Sequence, residues 1–73
     1  MNLGLYAMRD NVQGFLIPQA YMNDATALRE FQLLCNKKET VYGFRPSDFS
    51  LYKIGEFDTE TGYVCSCVLE VIG

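Results

Sequence analysis

From Asp24 to about Lys37 the chain carries its one convincing helical pattern, and that pattern limits every fold open to it. Ala27, Leu28, Phe31, Leu34 and Cys35 follow one another at spacings of one, three, three and one, a single stripe at the 3.6-residue period. Arg29, Glu30, Gln32 and Asn36 take the opposite side. Asn23 and Asp24 stand where a side-chain oxygen accepts from the free N–H groups of the first turn and an acid complements the dipole. Lys37 and Lys38 close the helix, where cations suit the negative end. Leu33 departs from the stripe, about 200° from Phe31, and marks a contact with another chain. One helix with one apolar stripe covers one face of whatever it packs on.

What remains reads as strands. In Asn2 to Met8, Leu3, Leu5 and Ala7 alternate with Gly4, Tyr6 and Met8, which makes Tyr6 the large side chain of the second face. Arg9 to Gly14 is a polar connection ending in a residue that adopts positive φ freely, and Phe15 to Ile17 is a short strand that Pro18 ends. Glu39 to Ser47 is a loop, but Val41, Tyr42 and Phe44 make it apolar enough to pack back on the core. Phe49 to Phe57 alternates, Asp58 to Gly62 turns the chain, and Tyr63 to Ile72 returns as the second strand of a hairpin. Because both faces of that last strand are largely apolar, it is expected to be central and covered on two sides.

The element order is then β-β-α-β-β: an α+β fold, with a four-stranded, mainly antiparallel sheet and one helix on one face, in a single domain spanning residues 1–73. A chain of 73 residues buries only roughly 60% of its unfolded surface. A second copy is the expected cover for the other sheet face, so a homodimer is predicted, with Leu33, Tyr42, Phe44 and Val68 as candidate contacts with it or with another partner.

A hydrophobic fraction of 49%, with five Tyr and five Phe, excludes a disordered chain. The net charge of -3 opposes generic attraction to a polyanion, although Asp24 to Ser47 sums to +1 (four basic, three acidic) while Asp48 to Gly73 sums to -4 (one basic, five acidic). Three cysteines and no histidine suit a reducing compartment and give no disulfide framework. Apolar runs fall far short of the ~20 residues of a membrane span, and no signal-peptide order is present. The expected location is the cytosol.

Cys65 and Cys67 point the same way along a strand and are poorly placed for a mutual disulfide; with Cys35 the only other thiol, all three are expected as buried core residues without a metal. Glu56, Asp58 and Glu60 lack the length and flanking helices of a calcium loop, and no histidine is available as an acid/base partner, so they read as a solvated turn. No phosphate loop or nucleophile–base pair is present, and neither catalysis nor a cofactor is expected. Aromatics on strands beside basic residues suit single-strand nucleic-acid binding by stacking. Tyr6, Tyr52, Phe15 and Tyr63 are the candidate stacking groups; Arg9, Lys37, Lys38, Arg45 and Lys53 are the candidate phosphate contacts. The competing reading assigns most of these aromatics to the core or a dimer contact.

Four segments also carry a resemblance: LYAMRD, GFLIPQ, NDATALREF and above all PSDFSLYKIGEFDTETG. Together they resemble the small nonstructural protein of gokushoviruses, tailless single-stranded DNA phages of the microvirus group, over nearly the whole length. The resemblance implies a nonstructural role in the cytoplasm of the bacterial host, outside the virion, commonly described as DNA binding or as assistance to single-stranded genome synthesis and packaging. An alternative within that context is an adaptor that acts on the replication protein, the procapsid or a host factor without touching DNA. The resemblance carries no catalytic or binding residues with it.

Overall fold

The computed structural model describes residues 1–36 and 46–73. Among the described residues five strands and one long helix follow in the order β1 (Asn2–Asp10), β2 (Gly14–Phe15), β3 (Gln19–Tyr21), α1 (Asp24–Cys35), β4 (Phe49–Asp58) and β5 (Val64–Val71), with a 3₁₀ turn at Pro46–Asp48 before β4. Every pairing is antiparallel. Since β2 and β3 both border β1 on one side, they act as one interrupted strand, and the sheet runs β2/β3, β1, β4, β5. This is the β-β-α-β-β, α+β architecture that the spacing predicts, with the strand ends placed differently.

Pro18 causes the first difference. Leu16 still donates its N–H to the Met8 carbonyl at 2.8 Å, but proline has no N–H for the ladder, and pairing resumes only at Gln19. The chain beyond the proline therefore forms a strand, β3, that its sequence does not announce.

Helix α1 starts where expected: Asn23 Oδ1 accepts from the Thr26 N–H at 2.8 Å and from its hydroxyl at 2.9 Å. Ala27 and Phe31 are buried beneath it, and Leu28 and Cys35 pack at the margin. Leu33 is 52% exposed, as its position off the stripe requires. The expected closing residues Lys37 and Lys38 lie outside the described residues, as do Val41, Tyr42, Phe44 and Arg45. The helix itself ends with the Asn36 N–H donating to the Gln32 carbonyl at 3.0 Å.

The core lies between α1 and one face of the sheet: Tyr6, Ala27, Phe31, Phe49 and Leu51, with Met8, Leu16, Tyr21 and Ile72 packed against it. Here the structure corrects one expectation, that Tyr6 is displayed for stacking. The inward face of β1 carries Gly4, Tyr6 and Met8, and the face with Leu3, Leu5, Ala7 and Arg9 points away from the helix. Tyr6 is only 2% exposed, and its hydroxyl donates to Asp24 Oδ1 at 2.5 Å, at the start of α1. Gly4 leaves room for the Tyr6 ring, since a Cβ there would fall 2.6 Å from ring carbon Cε1.

A second correction concerns β5. It is an edge strand whose residues Val64 to Val71 are all exposed, and β1 and β4 are the central pair. A helix about 10 Å wide spans roughly two strands at ~4.8 Å spacing, and α1 packs on β1, β3 and β4. Alternation on β5 reports side chains suited to burial, not a neighbour that buries them. Cys65 and Cys67 are accordingly exposed, and Cys35 is half-buried, so the expected set of three core thiols is not formed within one chain.

Candidate functional site

The register of the ladders sorts the strand residues onto two faces, because directly opposed residues share a face. Ala7 is paired with Tyr52, Arg9 with both Ser50 and Phe15, Leu3 with Phe57, and Leu5 with Gly55 and Ala20. Through β4 the same face continues to Val71, Ser66 and Val64. Among the described residues no helix lies on this outer face. Its middle is half-buried at Leu3, Leu5, Tyr52 and Phe57, and Ala7 forms a buried floor.

At one end of that face three side chains meet. Phe15 and Tyr52 stand edge to face with ring centroids 5.3 Å apart, and the Arg9 guanidinium carbon lies 5.8 Å from the centre of the Phe15 ring. Three elements deliver them: β1 positions Arg9, the Gly14 turn brings β2 back beside it with Phe15, and β4 places Tyr52 on the far side of Ala7. Gly14 takes a φ of 106°, a conformation that side-chain-bearing residues avoid, and Asp10 Oδ1 accepts from the Val12 N–H at 2.8 Å inside the same turn.

Charge is divided between the faces. The acidic strand residues Asp10, Glu56, Asp58 and Glu70 are all in register with residues of the helix side: Phe49, Gly4, Asn2 and Lys53 respectively. Among the paired strand residues of the outer face, Arg9 is the one charge. These four acidic strand residues thus belong to the opposite side of the sheet.

Other residues expected at a nucleic-acid site fall elsewhere. Lys53 lies on the helix side, with its ammonium 3.7 Å from Glu56, and shares no surface with Tyr52. Tyr6 is a core residue, which corrects the expectation that it stacks on a ligand; burial first, and then its hydrogen bond to Asp24, push its pKa well above the ordinary tyrosine value. Tyr63 is 72% exposed but neighbours the acidic turn, lining a shallow hollow with Asn2, Glu56, Asp58 and Cys65. Lys37, Lys38 and Arg45 lie outside the described residues. Of the partner contacts expected, Leu33 and Val68 are exposed, Val68 at 90%, while Tyr42 and Phe44 lie outside the described residues.

The acidic set is the hairpin turn it reads as. Asp58 donates its N–H to the Tyr63 carbonyl at 2.9 Å, its own carbonyl accepts from Gly62 at 2.8 Å, and its side chain accepts from the Glu60 N–H at 2.9 Å. That last bond is the main cause that holds the Asp58 carboxyl below its usual range. Among the described residues no three His, Cys, Asp or Glu side chains are grouped to hold a metal, and no helix is long and apolar enough to cross a membrane.

A family model described as Phage ORF5 protein matches residues 3–72. The chain belongs to that phage protein family. No curated protein and no solved structure matches it. For a Phage ORF5 protein, both strands of the turn-linked pair β4–β5 and the whole helix fall inside the matched span, so the outer face described above is built from family sequence throughout.

Proposed function

We propose that this phage protein is a nonstructural accessory factor of a gokushovirus-like single-stranded DNA phage, and that it binds single-stranded DNA on the outer face of its sheet. One observation carries the reading: Arg9, Phe15 and Tyr52 are in contact on a strand surface from which every acidic strand residue is turned away. Bases stack on exposed aromatic rings whatever their identity, and a guanidinium beside the rings serves both a base and a phosphate. Such a face takes a flexible single strand, whose bases are free to unstack, in preference to a duplex.

An anisotropy titration with a labelled oligothymidine at low and moderate salt tests this. One cation per chain at the cluster, or two counting a neighbour, sets a shallow log–log salt slope of roughly -0.7 to -1.4. Tyr52→Ala removes a stacking platform that is worth about 1–3 kcal/mol per base, so affinity falls roughly 5- to 150-fold. Absence of binding at low salt, or binding indifferent to Tyr52→Ala, sinks the proposal. The second reading, an adaptor for a replication, capsid or host protein, draws on Leu33 and Val68, both exposed and apolar, and on the net charge of -3. Capture of one of those proteins together with silent oligonucleotide titrations favours it.

A further inference from the structure

The two edges of the sheet are built differently. One is made of β2 and β3, two and three residues long and separated by Pro18, a short and broken edge that resists strand addition. The other is β5, eight exposed residues with no proline, no lysine and one charge, Glu70. Among the described residues β5 has β4 as its single neighbour, so the backbone groups of its far side point outward.

An irregularity in β5 decides what fits there. Ser66 pairs with Gly55 and Glu70 with Lys53, so Cys67, Val68 and Leu69 stand against Ile54 alone. The alternation of faces shifts across that point: Val64, Ser66 and Val71 share the outer face, while Cys65, Glu70 and Ile72 share the helix side. Two strands related by a two-fold axis through the sheet must oppose residues of the same face. In a regular strand that pairs odd numbers with odd and even with even, and Val64 never meets Val71. In β5 the shift removes the conflict. Val64 opposite the partner's Val71, and Cys65 opposite the partner's Glu70, each lie on one face.

We propose that β5 pairs antiparallel with β5 of a second copy along its full length, the two-fold axis passing between Cys67 and Val68. The outer row Tyr52, Val71, the partner's Val64, the partner's Phe57 is then apolar across four strands, continuous with the half-buried middle of each outer face. Each Glu70 sits in register with Lys53 of its own chain. The two Glu70 side chains are five positions apart, roughly 17 Å, beyond the ~8 Å screening length at physiological salt. A self-paired edge closes after two copies, whereas pairing β5 to the β2/β3 edge would propagate and meets Pro18.

Sedimentation of the full chain at tens of micromolar is expected to give twice the 8.3 kDa monomer mass. Val68→Lys, at a site 90% exposed in the monomer, is expected to give a monomer with unchanged circular dichroism. Register is read with a short bis-maleimide: Cys35→Ser with Cys65→Ser leaves Cys67 beside the axis, and a cross-linked dimer forms. Cys35→Ser with Cys67→Ser leaves Cys65 copies roughly 17 Å apart, and none forms. A monomeric wild type overturns the proposal and leaves the edge to a strand of another protein. A dimer that survives Val68→Lys, or one that cross-links through Cys65 and not Cys67, overturns it as well. None of these readouts involves DNA, so this pairing and the DNA-binding reading fail separately.

Discussion

Tyr6 brings a ring to be buried and a hydroxyl that needs a partner, and Asp24 at the first turn of α1 meets the second need. Alternation along β1 establishes two faces but not which of them turns inward, and by apolar count the Leu3, Leu5, Ala7 side competes well. What decides is the pairing of a polar tip with the helix start and the space left at Gly4, both long-range facts that a local pattern does not contain. Tyr6→Phe is expected to cost about 1–2 kcal/mol in denaturant unfolding, the range for a hydrogen bond to a charged acceptor with one end near solvent. The same burial makes stability depend on alkaline pH. Free tyrosine loses its proton near pH 10, while Tyr6 and, through burial and the nearby Glu30, Tyr21 hold theirs longer in the folded chain. Their contribution is complete below about pH 10 and declines as pH rises beyond it, because the unfolded chain then binds fewer protons than the folded one. A spectrophotometric titration should show late phenolate formation that coincides with loss of the fold; ionisation of every tyrosine near pH 10 in an intact protein contradicts it.

The helix was legible because its signals are local: Asn23 as cap and a stripe whose two inner residues, Ala27 and Phe31, are the ones buried. The hairpin was legible for the same reason, in the turn residues Asp58 and Gly62. Strand β3 was not, since a proline conventionally ends a strand and here only interrupts one. Nor was the edge position of β5, because side-chain pattern speaks of faces and is silent about hydrogen-bonding neighbours. Close backbone approach between β4 and β5 leads to a test of this pairing. A Cβ on Gly55 would fall 2.4 Å from the Cys65 carbonyl oxygen, and the obstacle is main chain rather than a movable side chain. Gly55→Ala is therefore expected to destabilise by about 1–3 kcal/mol, the usual range for overpacking, and to expose the amides of β5 first in hydrogen exchange. An alanine variant as stable as the parent would mean that β5 sits farther from β4 than described.

Across the whole molecule, net charge does not describe the outer face of the sheet. An acidic chain argues against DNA on average, but the ladders place Asp10, Glu56, Asp58 and Glu70 on the helix side and leave Arg9 with Phe15 and Tyr52 on the other. Arg9 and Tyr52 were readable as candidates from residue type alone. Their meeting with Phe15 depends on the Gly14 turn and on the register of β1 with β4, and Lys53, adjacent in sequence to Tyr52, faces away by the alternation that was already visible. Two-dimensional amide NMR of the full chain titrated with oligothymidine tests the central claim most directly. Shift changes concentrated at Arg9, Phe15, Tyr52 and their outer-face neighbours, with the Asp24–Cys35 helix unmoved, are what a base-stacking outer face produces; an unchanged spectrum at low salt, or changes confined to the helix, contradicts it.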